Sequence, residues 1–140
     1  MYCILTYILS RIDEADVIAY TDDYESGVVD VEAVGKAIAG ADALINAHIA
    51  KRYSVPVSPV PDMVRDLAVD IAIYKICSHR SLAPDDRRKN YEDAVRMLGR
   101  IASGQAVIPD AAAAPAGSGD HAVNLSSGPR VFSRDSLKGY

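Results

Sequence analysis

The chain has 140 residues, 49% of them hydrophobic, with no Trp, one Phe and a formal net charge of −4. That length suffices for one domain plus a tail, and the composition calls for a tight core of small aliphatic side chains. No apolar run approaches the ~18 residues of a membrane span, no basic leader with a small-residue cleavage site opens the chain, and net acidity argues against duplex DNA as a primary ligand.

The first short helix is expected near Thr6, whose hydroxyl suits a cap, with Ile8, Leu9 and Ile12 facing inward. A second begins near Asp13, where early acids favour a helix N-terminus, and carries Val17, Ile18 and Tyr20. Thr21 to Gly27 reads as a loop. Its acids invite a calcium reading, but the EF-hand register fails. With Asp22 first and Gly27 sixth, Tyr24 falls third and Ala33 twelfth, where the bidentate Glu is required.

A third helix should run from Asp30, its N-cap, to about Arg52. Val34, Ile38, Ala41, Ile45 and Ile49 form its stripe, and Gly35 and Gly40 mark candidate close helix contacts at a cost of ~1 kcal/mol each. Pro56, Pro59 and Pro61 then impose an extended connection. A fourth helix starts at Pro61, and from Leu67 to Cys77 only Asp70 and Lys75 are charged. A helix apolar nearly all round is the centre of its domain, or lies under a neighbouring subunit. The last helix starts at about Pro84, presents Tyr91, Ala94, Val95, Leu98, Ile101 and Ala102, and stops at Gly104; Glu92 and Arg96 are spaced to pair across one of its turns. The expected fold is all-α, a small bundle of about four to five helices, with Leu67, Ile71, Tyr74, Val95 and Leu98 in its core. Residues 1–108 form the helical domain, 109–130 a flexible linker and 131–140 an extended C-terminal docking arm.

The linker contains Pro109-Asp110-Ala111-Ala112-Ala113-Ala114-Pro115 and cannot build a core. As a 22-residue tether it has an r.m.s. span of ~25 Å and a full reach of ~70 Å. Val131, Phe132, Leu137 and Tyr140 would be the arm's apolar anchors, with Arg134 and Lys138 meeting acidic partners. Arg52 and Tyr53 are further candidates for that interface. Charge is polarised too. Residues 1–32 carry one base against eight acids, whereas residues 33–108 carry eleven bases against eight acids. Such polarity suits head-to-tail association of copies or two differently charged faces, or is simply charge held by solvated loops.

Chemistry is sparse. His48, His79 and His121 lie in separate contexts, and Cys77 and His79, two apart on a helix, cannot form a nucleophile–base pair. No nucleophile elbow, zinc-protease motif, phosphate loop or dinucleotide fingerprint occurs. Asp62, Asp66 and Asp70 share one helical face as a metal site, a docking stripe or, more simply, dipole complements with Asp70 paired to a neighbouring base. Arg80, Arg87, Arg88 and Lys89 are the one basic cluster, interleaved with Asp85 and Asp86. No enzyme activity, metal or cofactor is expected.

Taken in order, several segments resemble the small neck proteins of Mu-like phages and prophages, a head-completion or head–tail connector family. They are Leu5-Thr6, Leu9, Glu14 to Asp22, the Val34–Ile49 stripe, Lys51-Arg52-Tyr53 with Pro56, Pro59-Val60-Pro61, Asp70 to Tyr74, Tyr91 to Ala94 with Leu98, and Ser103-Gly104. The proline- and glycine-rich stretch before Phe132-Ser133-Arg134-Asp135-Ser136-Leu137 is similar as well. The early acidic loop departs from the calcium-like loop of many relatives.

The resemblance implies a virion component in the neck, made in the bacterial cytoplasm. It would be a twelvefold ring of copies between the portal protein and the other neck or tail-completion proteins, around passing viral DNA that it does not read. No membrane partner is implied. The competing reading is a DNA-binding packaging or regulatory protein that uses Arg87-Arg88-Lys89.

Overall fold

Five helices follow one another in this computed structural model, which describes residues 1–114 except Tyr24, Leu82 and Asp110: α1 (Leu5–Leu9), α2 (Glu14–Thr21), α3 (Val31–Ile49), α4 (Asp62–His79) and α5 (Asp85–Ser103). Among the described residues there is no strand, and no helix is long and apolar enough to cross a membrane. The fold is all-α.

Local chemistry accounts for most boundaries. The Asp30 carboxylate accepts the Glu32 and Ala33 N–H groups at 2.9 and 3.0 Å and so caps α3. That helix stops at Ile49 rather than Arg52, because Arg52 N–H and Tyr53 N–H both turn back to the Ile49 carbonyl at 2.9 Å. Thr6 does not cap α1. The Tyr7 N–H already bonds to the Ile4 carbonyl at 3.0 Å, so the first turn begins before Thr6. Pro61 and Pro84 stand just outside α4 and α5 as N-caps, and each carbonyl accepts a bond from the residue four on, Arg65 and Arg88, at 3.1 Å.

α4 is the axis of the domain and packs against each of the other four helices. The α3 stripe of Val34, Ile38, Ala41, Ile45 and Ile49 is buried against it. Gly40 meets the Lys75 side chain of α4, whereas Gly35 has open space around it. Tyr74 of α4 stacks on Tyr91 of α5, with ring centroids 4.3 Å apart. At the other end of the chain, buried Tyr2 ties α3 to the proline segment. Its hydroxyl donates to Asn46 Oδ1 and accepts the Val57 N–H at 3.0 Å, and its N–H donates to Asp42 at 2.9 Å. The Val55–Pro56 and Ser58–Pro59 bonds in that segment are cis.

Gly104 ends α5 in the left-handed region at φ +83°, and a Cβ there would also overlap the Arg52 guanidinium. Gly104→Ala should therefore destabilise the protein by about 1–2 kcal/mol, the left-handed penalty for an L side chain. The check is a lower urea midpoint with an unchanged denaturant slope. Past this stop, Ile108 returns to the core, and Ala112–Ala114 run alongside Arg52–Ser54. Ser54 N–H donates to the Ala112 carbonyl at 3.0 Å and Ala114 N–H to the Arg52 carbonyl at 2.9 Å.

Candidate assembly surfaces

The five core positions read from sequence divide into three groups. Ile71 and Leu98 are fully buried. Leu67 is only partly buried, packed on the core edge, and Tyr74 and Val95 are likewise intermediate. Leu67 shares a face of α4 with Ile71, one turn away, but it lines the groove that opens between α4 and α5.

The proposed interface residues separate as well. Val131, Phe132, Arg134, Leu137, Lys138 and Tyr140 lie outside the described residues. Arg52 is exposed, its guanidinium resting over Gly104 at the carbonyl end of α5, where a cation is favoured. Tyr53 does not offer its ring to a partner. It is 6% exposed, and its hydroxyl accepts the Ile108 N–H at 3.1 Å, so the chain after α5 closes over it.

The carboxylates of α4 find bases on a neighbouring element. Arg11, between α1 and α2, reaches Asp66 at 2.7 Å and Asp70 at 3.3 Å, and Asp62 pairs within its own turn with Arg65 at 2.6 Å. Burial pushes the Asp70 carboxyl above its ordinary range; Arg11 pulls it back, and the like charge of Asp66 adds to the rise. In the 21–30 loop the Asp22 carboxylate accepts the Ser26 and Gly27 N–H groups at 2.9 and 2.6 Å, acting as a staple for the turn. No group of three or more His, Cys, Asp or Glu that could hold a metal gathers among the described residues.

The basic cluster is dispersed. Arg80 donates to the Ala19 and Asp22 carbonyls at the end of α2, at 3.2 and 2.6 Å, and to Asp23 at 3.0 Å. His79 Nε2 lies 3.2 Å from the same carboxylate, and these two hydrogen-bonding neighbours, His79 first, hold Asp23 below its usual range. Arg88 pairs with Asp85 at 3.1 Å, and Arg87 lies 3.8 Å from Asp86. Among the described residues this spacing leaves no continuous basic face for a phosphate backbone. Arg96 takes Asp93 at 2.6 Å rather than Glu92, an exposed pair of little energetic weight.

Two surface features carry partner chemistry. Asp13, the N-cap of α2, and Glu14 and Asp16 within it are exposed and make no ion pair among the described residues, and exposed Lys51, Arg52 and Arg100 make none either. The fold does not keep all the bases apart from the acidic N-terminal part, since Arg80 bonds to the Ala19 and Asp22 carbonyls at the end of α2. The second feature is a groove of about 500 Å³ between α4 and α5, with Met63, Leu67, Ala94 and Met97 on its walls and Asp66, Asp70 and Asp93 at its rim. Sequence reading missed it. Its signal was a second apolar strip, Met63 and Leu67 one turn apart on α4, facing Ala94 and Met97 on α5.

Neither cysteine is a reactive site. Cys3 and Cys77 are both free and buried; desolvation lifts the Cys3 thiol to about 11, with nearby Asp42 contributing, and also raises Cys77. A disulfide-exchange reagent at mildly alkaline pH should modify neither thiol in the folded protein and both in denaturant. Prompt labelling of native protein would contradict this burial.

Comparison with known proteins gives a consistent picture. A family model described as bacteriophage Mu Gp36 matches residues 2–126. The Mu-like prophage FluMu protein gp36 of Haemophilus influenzae is 27% identical over 116 residues, covering 83% of this chain and 81% of that protein. Gene product J of Escherichia phage Mu is 29% identical over 102 residues, covering 71% and 70% respectively. Neither name states an enzymatic activity.

Proposed function

Because the chain belongs to the bacteriophage Mu Gp36 family, we propose that it is a structural component of the virion, a head–tail connector that forms a ring between portal and tail. The observation that carries this reading is the family match along nearly the whole helical domain, taken with the connector-like character of the sequence. Three features of the domain support it. The core is small and aliphatic, exposed acids at the start of α2 and exposed bases at Lys51, Arg52 and Arg100 make no ion pair among the described residues, and the described bases form no continuous face for duplex DNA. Opposite charges on one chain favour a heterologous, head-to-tail contact, which gives a ring when the rotation between copies closes.

In this role the portal protein, other neck or tail-completion proteins and copies of the chain are its partners, and viral DNA passes through without being read. Lateral contacts between exposed charges are weak alone and become effective when a template raises local concentration. Electron microscopy of particles made with tagged protein tests the reading. A ring of density at the portal–tail junction is expected, and label elsewhere in the particle, or absent from it, would refute it.

A further inference from the structure

Leu67 is partly exposed on the central helix, and it shares its groove with two methionines. Methionine walls adapt to an incoming apolar side chain without a fixed partner shape. The rim is short of positive charge. Among the described residues Arg11 is the one ion-pair partner of Asp66 and Asp70, with Arg87 acting on Asp70 from further away, and Asp93 pairs with the exposed Arg96. An occupant with an apolar centre and cations on both sides would satisfy floor and rim together.

The chain contains such a segment. Arg130-Val131-Phe132-Ser133-Arg134 places two apolar residues between two arginines. Extended, its arginines lie ~13 Å apart, and the groove runs ~10 Å along α4 from Met63 to Asp70. We propose that the α4–α5 groove receives residues 130–134 of a neighbouring copy of this chain.

The neighbour follows from the connector-ring reading, on which that part of the proposal rests. A groove and an arm on one chain form a heterologous pair, so each copy fills the next groove and a closed ring leaves none empty. The described part of the chain ends at Ala114, held beside Arg52–Ser54. From there residues 115–129 can extend ~50 Å, enough to cross to an adjacent domain. Phe132 enters between Leu67 and Met97, and Arg130 and Arg134 meet the rim carboxylates, which also relieves the crowding of Asp66 and Asp70.

Disulfide trapping in the full-length protein tests this, since Cys3 and Cys77 are buried and silent. One tagged chain carries Leu67→Cys and a second, untagged chain carries Phe132→Cys. Both are assembled into particles and also mixed at high concentration. The expected product is a tagged–untagged covalent dimer, formed roughly tenfold more than with Ala39→Cys, an exposed α3 position, in place of Leu67→Cys. Adding Arg134→Glu should lower the yield several-fold.

Yield equal to the Ala39→Cys control overturns the groove. A chain carrying both cysteines that closes on itself overturns the neighbour assignment. Met97→Cys replaces Leu67→Cys if that variant fails to fold. Enriched trapping in solution by a protein absent from particles would keep the groove and sink the connector reading. A ring in particles without enriched trapping would do the reverse.

Discussion

Ile71→Ala and Leu98→Ala should each destabilise the protein by about 2–5 kcal/mol, the cost of deleting a fully buried aliphatic side chain and leaving a cavity. Both side chains are at 0% exposure, one on the central helix and one on the helix packed against it. Leu67→Ala, four residues away but partly exposed at the groove, should lose distinctly less. Urea unfolding of the three variants measures this directly. A loss below ~1 kcal/mol at both buried sites would show that α4 and α5 do not meet as described.

Deleting residues 131–140 should abolish incorporation into particles and leave the helical circular dichroism and melting of the domain unchanged. The buried residues of the described core all lie between Tyr2 and Ile108, so the deletion removes none of them. What it removes is the set of apolar anchors Val131, Phe132, Leu137 and Tyr140 with the bases Arg134 and Lys138. Two anchors that each contribute ~2 kcal/mol on burial correspond to roughly a thousandfold in affinity. The double change Phe132→Ala, Leu137→Ala should therefore reproduce most of the defect. Normal assembly by either variant would remove the arm from the account.

The helices were legible because their physics is local. Val34, Ile38, Ala41, Ile45 and Ile49 repeat at the helical period, and all five are buried. Asp30 caps α3 through bonds that span only two and three residues. Contacts that close the fold across long stretches left no periodic mark. Arg11 meets Asp66 and Asp70 from 55 and 59 residues away, Tyr53 meets Ile108 from 55, and Tyr2 meets Val57 from 55.

Tyr53 illustrates the difference most clearly. Beside Arg52 at a helix end it has the composition of an interface, and only the return of the chain after Gly104 buries it. The α4–α5 groove was hidden for a related reason. Leu67 counts as core by spacing, and its partial exposure depends on how far α5 stands from α4 along that strip.

The central position of α4 also orders the way the domain forms and opens. α3, α4 and α5 are consecutive and meet after short loop closures, so their contacts have low sequence separation and form early. α1 and α2 touch α4 across more than fifty residues, and their ion pairs with it are exposed. This N-terminal strap is therefore expected to dock last and lift first, at a free energy below that of global unfolding. In hydrogen exchange, amides of α1 and α2 should open as one unit ahead of α4. Lifting the strap also withdraws Ile8 and Val17 from the core, so a neighbour that holds the strap down tightens the packing around α4.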